Sequence, residues 1–206
     1  MLHNIFAMKL YSLLIVLFFC FNIQAQDIFT DPRDGNEYNT VSINNTIWFV
    51  DNLKFETATS HCPGHGEVEG DCKSGNFYTY QEAKDVCPSG WALPELSDWE
   101  ELVAVISEDI TMHKYNFKKQ YRVDLMNANL YELDYIKIRP LGRVEGDKLL
   151  KGSIIDFWTI NPDKDDPKYH MHITPTTISG HRHKHHLDDK PENIRKFPIR
   201  CVKSND

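Results

Sequence analysis

The stretch Cys87-Pro-Ser-Gly-Trp-Ala-Leu-Pro-Glu-Leu-Ser-Asp-Trp-Glu-Glu-Leu102 constrains the fold of this chain most. It places two tryptophans, two prolines and a cysteine within sixteen positions. No single regular element can run through it, because proline removes a backbone donor and blocks a helix interior. The pattern instead predicts a helix end, a sharp turn through Ser89-Gly90, an extended Trp91-Ala-Leu-Pro94 and a second helix. Capping-box spacing marks both helix starts, Thr79-Tyr-Gln-Glu82 before the stretch and Ser97-Asp-Trp-Glu100 within it. The first helix is expected over Tyr80 to about Val86. In the second, Trp99, Leu102, Val103 and Ile106 fall on one face.

Cysteines tie this stretch to the rest of the chain. Leu10 to Phe21 is an apolar run preceded by Lys9 and followed by Asn22-Ile23-Gln24-Ala25. That is the layout of a secretory signal peptide over residues 1–25, cleaved after Ala25, and the run is too short to span a membrane. Met8 is a more usual start than Met1, and Phe18-Phe19 before Cys20 argues against a lipid anchor there. Residues 26–206 are then one domain of ordinary size. Four cysteines remain, Cys62, Cys72, Cys87 and Cys201, and an even number in a secreted chain points to two disulfides with three possible pairings. Cys62 and Cys72 bracket a glycine-rich loop and pair locally, which leaves Cys87 with Cys201. The alternatives are four free thiols, or Cys62 and Cys72 as zinc ligands with His61 and His65.

Without the leader the chain carries 22 basic and 30 acidic residues, a balance of −8, which argues against nucleic acid as partner. Asp31-Pro-Arg-Asp-Gly35 reads as a turn. Tyr38 to Ile43 and Thr46 to Val50 read as strands of a hairpin about Asn44-Asn45. Residues 107–133 mix charges with scattered aromatics and suggest short helical or irregular structure. Tyr135–Ile138, Ile154–Ile160, Tyr169–Ile173 and Phe197–Val202 have strand composition. Asn161-Pro-Asp-Lys-Asp-Asp-Pro167 is acidic but lacks the glycine and glutamate of an EF-hand loop, and reads as a solvated loop.

The sharpest chemical feature is a run of histidines at 170, 172, 181, 183, 185 and 186. In an extended segment Tyr169, Met171 and Ile173 share one face, while His170 and His172 share the other. If the second group forms the returning arm of a ribbon, His181, His183 and His185 fall near His170 and His172. Imidazoles at alternate strand positions lie about 6–7 Å apart, close enough to share one metal. No cofactor is required by the sequence; a metal held there would be zinc or copper, with Asp188 and Asp189 as further oxygen ligands or as outer partners of the ligating imidazoles. The bland reading is a solvated, weakly basic loop that charges in mild acid. The tryptophans Trp48, Trp91, Trp99 and Trp158 read as core rather than as a sugar-stacking platform.

The assembled segments resemble the Fibrobacter succinogenes major paralogous domain, a family of secreted proteins and lipoproteins abundant in Bacteroidota and Fibrobacter. The matching segments are Thr30-Asp-Pro-Arg-Asp-Gly-Asn-Glu-Tyr38, Ile47-Trp48, Asp51-Asn-Leu53, Gly75-Asn-Phe-Tyr78, Cys87 to Pro94 with Asp98-Trp99, Phe157-Trp-Thr159 and Ile199-Arg-Cys-Val-Lys203. The resemblance implies a divergent C-type-lectin-like fold of α+β class, with two helices packed on small antiparallel sheets and a long irregular insertion. It also implies a disulfide from the first helix to the last strand, the same Cys87–Cys201 pair. It transfers no catalytic residues. The histidine-rich region before the final strand departs from the family's usual Ser, Tyr and Asn, and Tyr80 stands where tryptophan is common.

The chain shows no acid/base pair, nucleophile or phosphate loop, so an enzyme is not expected. The expectation is a secreted or periplasmic, non-enzymatic binding module that recognises a glycan or a protein outside the cell. The alternative is an extracellular transition-metal-binding protein that uses the histidines from 170 to 186.

Overall fold

A computed structural model of the chain describes residues 27–62, 72–109, 112–117, 120–125, 136–138, 141–146, 148–150, 152–160, 169–182 and 194–204. The expected signal peptide, the glycine-rich loop between Cys62 and Cys72 and the acidic Asn161–Pro167 loop lie outside these residues.

The elements in order are β1 (Asp27–Thr30), β2 (Glu37–Ile43), β3 (Thr46–Phe49), a 3-10 turn at Cys72–Ser74, α1 (Tyr80–Asp85), α2 (Leu96–Asp109), β4 (Met112–Phe117), β5 (Gln120–Leu125), β6 (Arg143–Glu145), β7 (Lys148–Leu150), β8 (Ile155–Trp158), β9 (Tyr169–Thr174), β10 (Thr177–Arg182), β11 (Arg195–Lys196) and β12 (Val202–Ser204). They form a four-stranded sheet β1-β2-β3-β12, a five-stranded sheet β4-β5-β10-β9-β8 and a three-stranded sheet β11-β6-β7. All strand pairings within the sheets are antiparallel.

This corrects the expected fold class. The chain is mostly β rather than α+β, with two α-helices among the described residues, and C-type-lectin-like packing of helices on a sheet is not its organising feature. The reason is local. The stretch expected to be irregular is instead the β4–β5 hairpin, an edge of the largest sheet, with Met112 opposite Leu125 and Phe117 opposite Gln120. Conversely, the expected strand at Tyr135–Ile138 is a turn and coil over the described 136–138, although Ile136 and Ile138 are buried. Among the described residues no helix is long and apolar enough to cross a membrane.

Two buried clusters meet at the opening stretch. One gathers Trp99, Leu102 and Val103 of α2 with Val41, Ile43 and Trp48 of the first sheet and Phe157, Met171, Ile173 and Ile178 of the second. Trp48 and Trp99 meet edge-on at 5.0 Å. The other cluster joins Tyr38, Phe49, Tyr78, Trp91, Leu93, Trp158, Phe197 and Cys201. So Trp91 and Trp99, eight positions apart, anchor different cores. Between them the extended segment is held by Ala92, which exchanges two hydrogen bonds with Val202, and by Pro94, whose carbonyl accepts from Ile160.

Capping behaves as the spacing predicts at α1 and differently at α2. Thr79 and Glu82 form a full capping box. The second helix starts at Leu96, one residue ahead of Ser97, and Asp98 reaches back to the Glu95 N–H at 2.7 Å. Glu82 does more than cap. Its carboxylate also accepts from the hydroxyls of Thr57 and Thr59, pinning the 57–60 turn to α1. Burial pushes the Glu82 carboxyl up, but these hydrogen bonds and those of Thr79 outweigh it and hold it below the ordinary range. Glu82 therefore stabilises the fold fully above its unfolded value and loses that contribution as pH falls through the lower folded value. Urea unfolding of Glu82→Gln should show a loss of about 1 kcal/mol at pH 7, given the partial exposure of the site. The gap to the parent should close towards pH 3, and a gap independent of pH would refute this role.

Gly180 in β10 is required by close approach. A Cβ there would stand 1.9 Å from the Tyr169 hydroxyl oxygen, and Tyr169 is itself buried in the core. Gly180→Ala should cost about 1–3 kcal/mol through displacement of the tyrosine. A melting temperature within a degree of the parent would show that the ring yields freely.

Candidate metal centre

Strands β8, β9 and β10 bring the chemistry together. Their register sets Asp156 opposite His172 and Trp158 opposite His170, while His170 also faces His181 and His172 faces Ser179. Strand alternation sends Tyr169, Met171 and Ile173 into the core. His170 and His172 are thereby left on the other face with Asp156. The Asp156 Oδ1 lies 2.6 Å from His172 Nδ1 and 3.7 Å from His170 Nε2. One donor atom from each residue lies within 4.8 Å of the other two. Asp156 and His170 are 3% and 1% exposed, whereas the His172 side chain is 25% exposed, so the group opens on the His172 side.

Aromatic walls hold the group in place. Phe197 and Trp158 pack against the His170 ring at 5.0 and 6.2 Å. Trp158 is fixed in turn by its indole N–H, which donates to the Tyr78 carbonyl at 2.7 Å. On the other side Gly142 pairs in parallel with Ile155, so Arg143 and Asp156 are the next residues on neighbouring strands. Glu145 bridges Arg143 and Arg195, with its Oε1 at 2.9 and 3.0 Å from their guanidinium nitrogens.

Burial pushes the Asp156 carboxyl up. The His172 hydrogen bond and the charges of His170, His172 and Arg143 outweigh that and hold it below the ordinary carboxylate range. An ionised carboxylate with two imidazoles is a donor set suited to zinc, copper and nickel. Donor atoms around a tetrahedral zinc sit about 3.3 Å apart, as follows from bonds of about 2.0–2.1 Å. The separations from Asp156 of 2.6 and 3.7 Å straddle that value, and all three donors lie within 4.8 Å of one another, so the side chains would draw together to seat an ion.

Of the histidines singled out in the sequence, His170 and His172 come together beside Asp156. His181 takes the register position opposite His170, as the ribbon requires. His183, His185, His186, Asp188 and Asp189 lie outside the described residues. Asp156 was missed. Its signal was a lone acid within the apolar run Ile154-Ile-Asp-Phe-Trp158, but its pairing with His172 depends on a register that the sequence does not spell out. The cysteines form Cys62–Cys72 and Cys87–Cys201 disulfides. All four tryptophans are buried, which fits the core reading and leaves no stacking platform among them.

Fold and site together define a mostly β domain, clamped by two disulfides, with a buried carboxylate–bis-imidazole cluster on its largest sheet. The family model of the Fibrobacter succinogenes major domain matches residues 41–203, and the chain belongs to that family. The match takes in Asp156, His170 and His172. Neither a curated protein nor a solved structure matches the chain.

Proposed function

We propose that this chain is a secreted binding module that holds a divalent transition-metal ion, Zn²⁺ or Cu²⁺, at Asp156, His170 and His172. The observation that carries the reading is the convergence of these three donors on two paired strands, two of them nearly inaccessible to water. An ionised carboxylate beside two imidazoles offers the oxygen and nitrogen donors that such an ion takes. Two disulfides fit the oxidising compartment that secretion implies. The module binds and does not catalyse.

Calorimetric titration of tag-free protein with Zn²⁺ and Cu²⁺ at pH 7.5 tests this. Binding should be one to one and micromolar or tighter. The double variant His170→Ala/His172→Ala should weaken it at least ~100-fold, since loss of even an outer-shell partner costs about 10–100-fold. Wild-type affinity weaker than millimolar, or affinity that survives the substitutions, would refute it. Far-ultraviolet circular dichroism of the variant separates lost ligands from lost folding.

A further inference from the structure

The described charges around Asp156 do not balance once a divalent ion is added. Asp156 and Glu145 are offset by Arg143 and Arg195, and ligating imidazoles are neutral. A divalent ion would therefore leave two positive charges uncompensated beside ligands that are almost wholly buried. Such charge is costly to bury, and the ion is the largest charge in its own site. Three protein donors also leave at least one position of a four-coordinate ion open. The partly exposed His172 marks the side from which a ligand can arrive. On the flank stand two arginines whose guanidinium groups already share a carboxylate oxygen, that of Glu145. Arginine's planar fork suits carboxylate and phosphate oxygens better than any other side chain.

Resting on the metal reading above, we infer that the centre takes an exogenous oxyanion in its open position, one oxygen on the metal and the outer oxygens facing Arg143 and Arg195. The ligand class is a carboxylate- or phosphate-bearing molecule. The charge count and the arginine pair both favour it over a neutral sugar.

Cobalt-loaded full-length protein provides the test, because the visible bands of Co²⁺ respond to a change of ligand. Inorganic phosphate and acetate are titrated separately at constant ionic strength set with chloride. A saturable spectral change with either is expected, and the arm that saturates at lower concentration names the source. Arg143→Gln/Arg195→Gln should weaken anion binding at least ~10-fold, the scale of a lost charge-assisted hydrogen bond pair, while the protein still takes up one equivalent of cobalt, measured by metal analysis of the loaded variant. Spectra unmoved by both anions, or an unaffected double variant, would overturn the inference and leave the metal site standing. Failure to bind cobalt at all would remove both.

Discussion

Removing the Cys87–Cys201 bridge by alanine substitution at both positions should lower stability by about 5 kcal/mol, close to the whole reserve of many domains. The bond closes a separation of 114 residues, and loop-closure entropy taken from the unfolded chain grows with the logarithm of that length. The Cys62–Cys72 bridge spans only 10 residues and should be worth about 3 kcal/mol on the same scale. At roughly 2–4 °C per kcal/mol for a chain of this size, the melting temperature should fall by about 10–20 °C in the first variant and by roughly half that in the second. Cys201 is fully buried between Arg200 and Val202, so its alanine also leaves a small void that adds to the loss. Thermal unfolding followed by circular dichroism checks the order. A short-loop variant that melts below the long-loop variant would mean that native-state contacts, not chain entropy, set the value of these bonds.

What could be read from the sequence was whatever depends on near neighbours. Asn44 adopts a φ of 52°, as a tight hairpin between β-branched strands demands. Thr79 and Glu82 make their capping box within three residues. The cysteine pairing followed once one bridge was local. Tyr169, Met171 and Ile173 share one core face of the histidine strand as drawn, because period two is a property of the backbone itself. The fold class was misjudged where the signal is weak. Tyr121, Val123 and Leu125 do alternate with Arg122 and Asp124, but β4 carries no such pattern, and a hairpin needs both arms. Short strands of three to six residues contribute little periodicity each, whereas two capping boxes spoke loudly for helix. The metal cluster was half legible for a related reason. His170 and His172 are two residues apart, but Asp156 reaches them only through the β8–β9 register. That register is set by which face of each strand is buried.

Arg200 was not singled out by the sequence, yet its loss should rank with that of the long disulfide. The residue is 2% exposed, and its guanidinium donates to the Asn52 side-chain oxygen at 3.2 Å, to the Ile136 carbonyl and to the Lys137 carbonyl at 2.9 Å. The group lies 5.5 Å from the Phe157 ring centre. Through these contacts one side chain satisfies the backbone of a segment that carries Ile136 and Ile138 into the core, with Lys137 between them at a φ of 43°. Asn52 completes the chain of contacts by donating to the Ser74 carbonyl beside the Cys62–Cys72 loop. Arg200→Leu would keep much of the volume but strand three acceptors, each costing about 1–3 kcal/mol when buried without a donor. The expected total is about 3–5 kcal/mol, below the simple sum because the 136–138 segment can shift towards water. Arg200→Lys should recover little, since an ammonium lacks the planar fork that reaches separate oxygens at once. Urea unfolding at pH 7 measures both variants, and a loss under 1 kcal/mol in Arg200→Leu would show that the segment is held by its isoleucines alone. The two large effects should also differ in kind. The disulfide acts on the unfolded chain, so its removal should raise the urea m-value as the denatured state expands, whereas Arg200 acts on native contacts and should leave the m-value unchanged.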